Sequence, residues 1–230
     1  MVPASQQARD RARVRPLALA VERGQSMGIR DRVVGQFKKP SGPFGHVVGW
    51  IMAARGSNRE RSRWTVDLLH IDPDDRVLEL GCGPGVALEH AARRLRSGNV
   101  VGIDHSPVMV KQATRRNREA IAAGRVLVRV GTTEDARAVD GPFTKIFSVN
   151  VIQFMPDKTA FFRLLYAQLA PCGIIATTYQ PRNKNPTRAD AIAMADRISA
   201  ALKSAGFTRT HVEERDFKPP AVCVIGMRPK

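Results

Sequence analysis

The stretch Arg76 to Gly85 reads Arg-Val-Leu-Glu-Leu-Gly-Cys-Gly-Pro-Gly, and it constrains the fold more than any other. Val77, Leu78 and Leu80 form a short apolar run of the kind found in a strand buried on both faces. The run stops at Gly81, Gly83 and Gly85, glycines on alternate positions, and a helical pattern follows from Val86 to Leu95. Glycine tolerates positive φ and lets a ligand approach the backbone closely. A strand, a glycine turn and a helix start make a binding place, with amide N–H groups and the positive end of the helix dipole facing the turn.

The spacing selects the ligand. A dinucleotide fingerprint is G-x-G-x-x-G. Here the third glycine arrives one residue early and Pro84 fills the gap, whereas a pyrophosphate needs the later glycine for close helix–sheet packing. Glu79, just before the first glycine, repels phosphate and suits a ligand with a cationic amine. The stretch resembles motif I of the class I S-adenosylmethionine-dependent methyltransferases, an acidic residue, one position, then G-x-G-x-G. The competing explanation is an ordinary strand-to-helix turn with glycines for packing.

A second apolar run, Val100 to Ile103, ends in Asp104, nineteen residues after Gly85. A carboxylate at the end of a second parallel strand at about this distance can accept both hydroxyls of a ribose. It resembles the family's motif II. Ser106-Pro107 is already a good helix start, so Asp104 is not needed as a cap. His105 is expected beside the adenine, or is a loop histidine with no role. A single helix is expected from Pro107 to about Ala123, closed by Gly124. After a third strand, Val126 to Val130, the family commonly has Gly-Asp-Ala. This chain has Gly131-Thr132-Thr133-Glu134-Asp135, so Thr132 replaces the acid that meets the adenine amine, with Thr133 or Glu134 as substitutes.

The fourth strand, Lys145 to Val149, ends in Asn150-Val151-Ile152-Gln153-Phe154, which resembles motif IV beside the methyl group. The amino-group methylases of DNA and some RNA carry Asn/Asp-Pro-Pro-Tyr/Phe there, a pattern that holds a flipped base. The missing Pro-Pro argues against that branch. Pro171-Cys172-Gly173 resembles the family's Pro-Gly-Gly turn, leading into a fifth strand over Ile174 to Tyr179. A helix over Ala191 to Leu202 and strands over Thr208 to Glu213 and Ala221 to Met227 complete the order.

Composition bounds the rest. The 230 residues suffice for one domain and an appendage, and no apolar run approaches the roughly 20 residues of a membrane span. Cys82, Cys172 and Cys223 lie far apart, as small buried hydrophobes in a reducing compartment do, so a cytoplasmic location is expected. No ligand cluster calls for a metal. Net charge is +16, with thirteen Arg and Lys against four Asp and Glu in residues 1 to 64. A basic surface attracts nucleic acid or anionic substrates, but no aromatic residues interleave the cluster at 9 to 15 as a stacking platform needs.

Residues 1 to 26 carry no sustained period and are expected to be a weakly ordered extension, with Met27 as a natural start. Residues 27 to 70 are expected to form a helical cap. Its first helix runs from Phe44 to Ala54 and stops at Gly56. Asn58 caps the second, with Trp64, Val66, Leu68 and Leu69 apolar. His46 and Trp50 either face the acceptor pocket or are a surface histidine and a core tryptophan. The resemblance implies that residues 71 to 230 are the methyltransferase domain.

From about Phe37 onward the element order and three motif positions resemble the small bacterial class I methyltransferases, in the broad small-molecule group close to the ubiquinone/menaquinone methylases. The resemblance implies a Rossmann-like three-layer α/β/α sandwich, with a mostly parallel seven-stranded sheet whose last strand is antiparallel. It implies S-adenosylmethionine as cofactor, bound by Glu79, Gly81, Gly83, Gly85, Asp104, His105, Thr132, Thr133 and Asn150, and a small-molecule acceptor faced by His46 and Gln153. Three rivals remain: an RNA methyltransferase, a non-catalytic cofactor-binding regulator, and a nicotinamide-dependent oxidoreductase that the glycine spacing disfavours.

Overall fold

The computed structural model describes residues 55–230, which belong to one compact unit beginning at Ala54. The expectations for residues 1 to 54, including the extension, the first cap helix, His46 and Trp50, lie outside the described residues. Strand β1 (Arg76–Leu80) sits inside a seven-stranded sheet, between β2 (Asn99–Asp104) and β4 (Phe143–Val149), and pairs with both in parallel. With β3 (Val126–Val130), β5 (Leu169–Tyr179), β6 (Thr208–Arg215) and β7 (Ala221–Met227), the order is β3-β2-β1-β4-β5-β7-β6. β7 inserts antiparallel between β5 and β6.

The pleat explains why β1 carries apolar residues, Val77, Leu78 and Leu80, on both faces. Successive side chains point to opposite faces, and both faces are covered. Leu78 and Leu80 join a core with Ile146, Phe162, Leu165, Ile198 and Leu202. Val77 joins another with Trp64, Leu69, Leu88, Leu95 and Phe147. Each such leucine, fully buried, contributes about 1.5–3 kcal/mol. The covering helices are α1 (Arg55–Leu68), α2 (Val86–Ala92), α3 (Pro107–Arg116), α4 (Arg118–Ala122), α5 (Lys158–Gln168) and α6 (Arg188–Ser204). Local chemistry starts several of them. Ser106 Oγ accepts from the Met109 N–H, with Pro107 at the first turn, Asp157 caps α5, and Thr187 and Asp190 form a reciprocal capping box on α6.

The sheet and its order match the expected sandwich, but six local expectations fail. Gly56 and Asn58 lie inside α1, so the glycine does not stop a helix and the asparagine does not cap one. Asn58 Oδ1 instead accepts from Arg61 Nη2 at 3.0 Å. One interior glycine costs only about 1 kcal/mol, which tertiary packing overrides. The helix after the glycine turn ends at Ala92, where Arg94 N–H turns to the Ala91 carbonyl. The single helix expected over 107 to 123 is two, because Asn117 leaves the helical region at φ −100°, ψ 16°. Its Nδ2 donates to the carbonyls of Ala113 (2.9 Å) and Gly85 (3.0 Å), clamping the glycine turn to α3. Pro171-Cys172-Gly173 is a bulge within β5, since Phe143 pairs with Leu169 but Lys145 with Ile174. Cys172 is exposed there, unlike buried Cys82 and Cys223.

Candidate functional site

Parallel pairing brings the carboxyl ends of β3, β2, β1 and β4 side by side, and with them most of the residues predicted from the motifs. At the end of β1 the chain enters the glycine turn, with φ of +66° at Gly81, +51° at Gly83 and +76° at Gly85. The three glycines serve different ends. A Cβ on Gly81 would lie 2.4 Å from Val151 Cγ2, and one on Gly85 would lie 2.6 Å from Asn117 Nδ2 and 2.8 Å from Ala113 Cα. Those two permit packing. A Cβ on Gly83 would meet nothing within 4 Å, so this residue alone presents its bare backbone to open space.

Within the turn itself, from Gly81 to Gly85, the amides are already paired. Gly81 and Cys82 N–H donate to the Ile103 carbonyl at 2.8 and 3.1 Å, and Gly85 N–H to the Cys82 carbonyl at 3.0 Å. Gly83 N–H donates to Asp104 Oδ2 at 2.8 Å. Pro84 has no N–H, so every donor of the turn is satisfied within the protein. The turn offers a ligand shape, and its charge comes from two carboxylates.

Those carboxylates are Glu79 and Asp104, exposed by only 2% and 6%. Asp104 Oδ1 accepts from the Ser106 N–H at 2.9 Å, so its two oxygens tie the glycine turn to the start of α3. Glu79 points to the α2 side of the sheet, and its Oε2 is buried with no hydrogen-bond partner. Burial, and then the charge of Asp104, hold the Glu79 carboxyl well above the usual carboxylate range, against a smaller lowering by the Leu88 backbone N–H. Two buried acids side by side are an arrangement that a cationic ligand relieves. An unpartnered carboxylate oxygen, a second carboxylate and an open glycine face fit a ligand bearing an ammonium group, a positive sulfur and a ribose. Burial and the same two charges push the Cys82 thiol up, so it stays protonated and packs rather than reacts.

The remaining predicted residues flank this pair. His105 is 62% exposed, its Nδ1 3.7 Å from Asp104 Oδ1. Gly131 N–H donates to the Asp104 carbonyl and ties the loop after β3 to the end of β2. In that loop Thr132 donates from both its N–H (2.7 Å) and Oγ1 (3.1 Å) to Asp135 Oδ2, while Thr133 Oγ1 donates to Glu134 Oε2 at 3.1 Å. Asp135 was missed in the sequence, although a threonine three residues before an aspartate is a turn signal that could have found it. Asn150 follows β4 with φ +57° and is buried. Its Oδ1 accepts from the Gln180 N–H at 2.8 Å, and its carbonyl accepts from Gln153 Nε2 at 2.7 Å. Gln153 therefore turns back onto the chain, and Asn150 joins the ends of β4 and β5.

A polar cluster continues from there that the motifs did not indicate. Gln180 Oε1 accepts from Arg61 Nη1 and, at 3.3 Å, from Arg182 Nη2. Arg61 is fully buried on α1, whose Thr65 Oγ1 lies 2.6 Å from Thr178 Oγ1. Burial, then the Arg182 charge, lower the Arg61 guanidinium to about 9, still charged at neutral pH. No pattern in α1 marks this arginine, because a buried arginine and a surface arginine look alike in one sequence.

A family model described as a methyltransferase domain matches residues 77–173. The chain is 30% identical over 184 residues to the uncharacterized methyltransferase YdaC of Bacillus subtilis, covering 80% of this chain and 98% of that protein. The chain belongs to the class I S-adenosylmethionine-dependent methyltransferases. The enzyme is also 31% identical over 131 residues to trans-aconitate 2-methyltransferase of Methylobacterium radiotolerans, covering 56% of this chain and 48%, about half, of that one. A solved S-adenosylmethionine-dependent methyltransferase of Aquifex aeolicus shares its fold, with a TM-score of 0.63 and 18% identity over 78% of this chain and 97% of that one. S-adenosylmethionine is the cofactor of the family. Among the described residues no helix of the enzyme is long and apolar enough to cross a membrane.

Proposed function

We propose that this methyltransferase acts on a small-molecule acceptor, and that Glu79, Gly81, Gly83, Gly85, Asp104, His105, Thr132, Thr133 and Asn150 line the seat of its cofactor. The observation that carries the assignment is the buried Glu79–Asp104 pair beside the open face of Gly83. Glu79 is assigned to the cationic methionine end and Asp104 to the ribose hydroxyls. His105 and the Thr132-Thr133 loop are assigned to the adenine side, and Asn150 to the methyl-donor side.

The bound cofactor supplies a methyl group already activated on a sulfonium. The protein's part is alignment and exclusion of water, which can contribute about 7–11 kcal/mol. On the acceptor side we place Gln153. A small acceptor is supported by the relative named for trans-aconitate, and by the absence of Pro-Pro after Asn150. The likeness of the motifs to the ubiquinone/menaquinone group belongs to this reading and names no acceptor.

The test is transfer of label from S-adenosylmethionine to a metabolite extract and, in parallel, to total RNA. Label in the small-molecule fraction is the expected result. Label confined to RNA, with binding that falls steeply as salt rises, would overturn the proposal.

A further inference from the structure

We propose that Asn150 Nδ2 donates to the carboxylate of S-adenosylmethionine, and that Gln180 and Arg61 are positioning residues that hold the Asn150 amide in that orientation. The inference rests on the reading of Asn150 as part of the cofactor seat and names the group it meets there. It starts from polar atoms that the fold leaves over. Among the described residues two buried side-chain nitrogens lack a hydrogen-bond partner, Asn150 Nδ2 and Arg61 Nε. Both belong to one chain of contacts, from Asn150 through Gln180 to Arg61.

The orientation of Asn150 is dictated by its neighbours. Its Oδ1 accepts from the Gln180 backbone N–H at 2.8 Å, a contact that only the oxygen of an amide can make. Its backbone N–H donates to the Thr178 carbonyl at 2.9 Å, and its carbonyl accepts from Gln153 Nε2 at 2.7 Å. An aspartate would make all three contacts. The nitrogen is therefore the one part of the side chain that the fold does not use. A buried N–H left unpaired destabilises a protein unless a ligand or a water pairs it. Because Nδ2 only donates, the ligand atom it meets is an acceptor.

Gln180 is braced at both ends of its side chain. Its Oε1 accepts from Arg61 Nη1, and its Nε2 donates to the Pro219 carbonyl at 2.6 Å. Arg61 is held in turn by Asn58 Oδ1 at 3.0 Å, and the Thr65–Thr178 contact fixes α1 against β5. The backbone N–H that sets Asn150 is thus itself fixed from α1. Position points to the ligand. β1 and β4 run in parallel register, with Leu80 beside Ser148, so Asn150 stands level with the glycine turn, and Val151, the next residue, packs on Gly81. S-adenosylmethionine carries its ammonium and its carboxylate on the same carbon. With the ammonium assigned to Glu79, the carboxylate turns away from the two acids, since like charges repel. The amides from Gly81 to Gly85 are already paired. Asn150 Nδ2, on the β4 side, supplies the donor.

The test is calorimetric titration of the full chain, above the carboxylate pKa range, with S-adenosylmethionine and with its decarboxylated form. The readout is the ratio of the two affinities, which a general loss of packing does not move. Asn150→Asp keeps the oxygen that Gln180 needs and turns the donor into a second carboxylate oxygen. It should weaken S-adenosylmethionine about tenfold or more without weakening the decarboxylated form. Arg61→Met and Gln180→Leu should move the ratio in the same direction, and Arg61→Lys should restore part of it. In the Asn150→Asp background Arg61→Met should move it no further. If Arg61→Met does not fold, Gln180→Leu, which keeps the backbone N–H, decides. A ratio unmoved in folded Asn150→Asp, whether both ligands weaken or neither does, overturns the inference. A ratio that moves in Asn150→Asp but in neither Gln180→Leu nor Arg61→Met overturns the positioning role. If the unaltered chain binds neither ligand, the cofactor reading falls and the inference with it.

Discussion

Gly83 and Gly85 lie two residues apart, both at positive φ, and the structure predicts opposite consequences for the same substitution. In Gly85→Ala the new Cβ meets Asn117 Nδ2 at 2.6 Å and both carbons of Ala113 at 2.8 Å. The left-handed backbone costs about 1–2 kcal/mol for a residue with a Cβ, and the overpacking about 1–3 kcal/mol more. Displacing Asn117 also strains its 3.0 Å hydrogen bond to the Gly85 carbonyl. The sum of backbone and packing terms, about 2–5 kcal/mol, lowers the melting temperature by roughly 4–20 °C for a domain of this size. In Gly83→Ala only the backbone term remains, about 1–2 kcal/mol, because the methyl group enters open space. That space is the proposed cofactor seat, so the folded variant should bind S-adenosylmethionine at least tenfold more weakly. Thermal unfolding of the ligand-free proteins and calorimetric titration with S-adenosylhomocysteine measure the two effects separately. A folded Gly83→Ala protein with full cofactor affinity, or a Gly85→Ala protein as stable as the parent, would refute the division of labour between these glycines.

Asp104→Ala should weaken cofactor affinity by at least tenfold, about 1.4 kcal/mol, and unchanged affinity in a folded variant would count against the ribose assignment. Glu79 gives a pH dependence. Its folded-state value is raised, so folding favours its protonated form. The stability it contributes is complete below the ordinary glutamate range and is lost as pH rises through the folded value. The melting temperature of the ligand-free protein should therefore fall over that window, Glu79→Gln should flatten the fall while weakening cofactor binding, and an unaltered profile in the variant would exclude Glu79 as its source.

Much of the site was legible before the fold because it is local chemistry written in consecutive residues. A buried strand, a glycine turn and an acid at the end of the next strand follow from periodicity and spacing, and so does the parallel sheet they imply. Ser106-Pro107 and Gly124 likewise announced helix ends from their own backbone preferences. The errors came where a side chain takes a partner that its local pattern does not announce. Asn117 breaks a helix to hold Gly85, 32 residues away, and Asn58 turns from capping to Arg61. Nor did spacing announce that the amides from Gly81 to Gly85 pair with Ile103, Cys82 and Asp104.

The sequence by itself determined the order of strands and helices and the residue types at the glycine turn, since these depend on intrinsic conformational preference and on burial of one strand among its neighbours. Only the tertiary structure decided which of three like glycines faces open space, and that an arginine 119 residues before Gln180 would share its side-chain oxygen with Arg182. The reason is that desolvation and Coulomb interaction act between groups close in space, and closeness in space across a sheet leaves no mark on spacing along the chain.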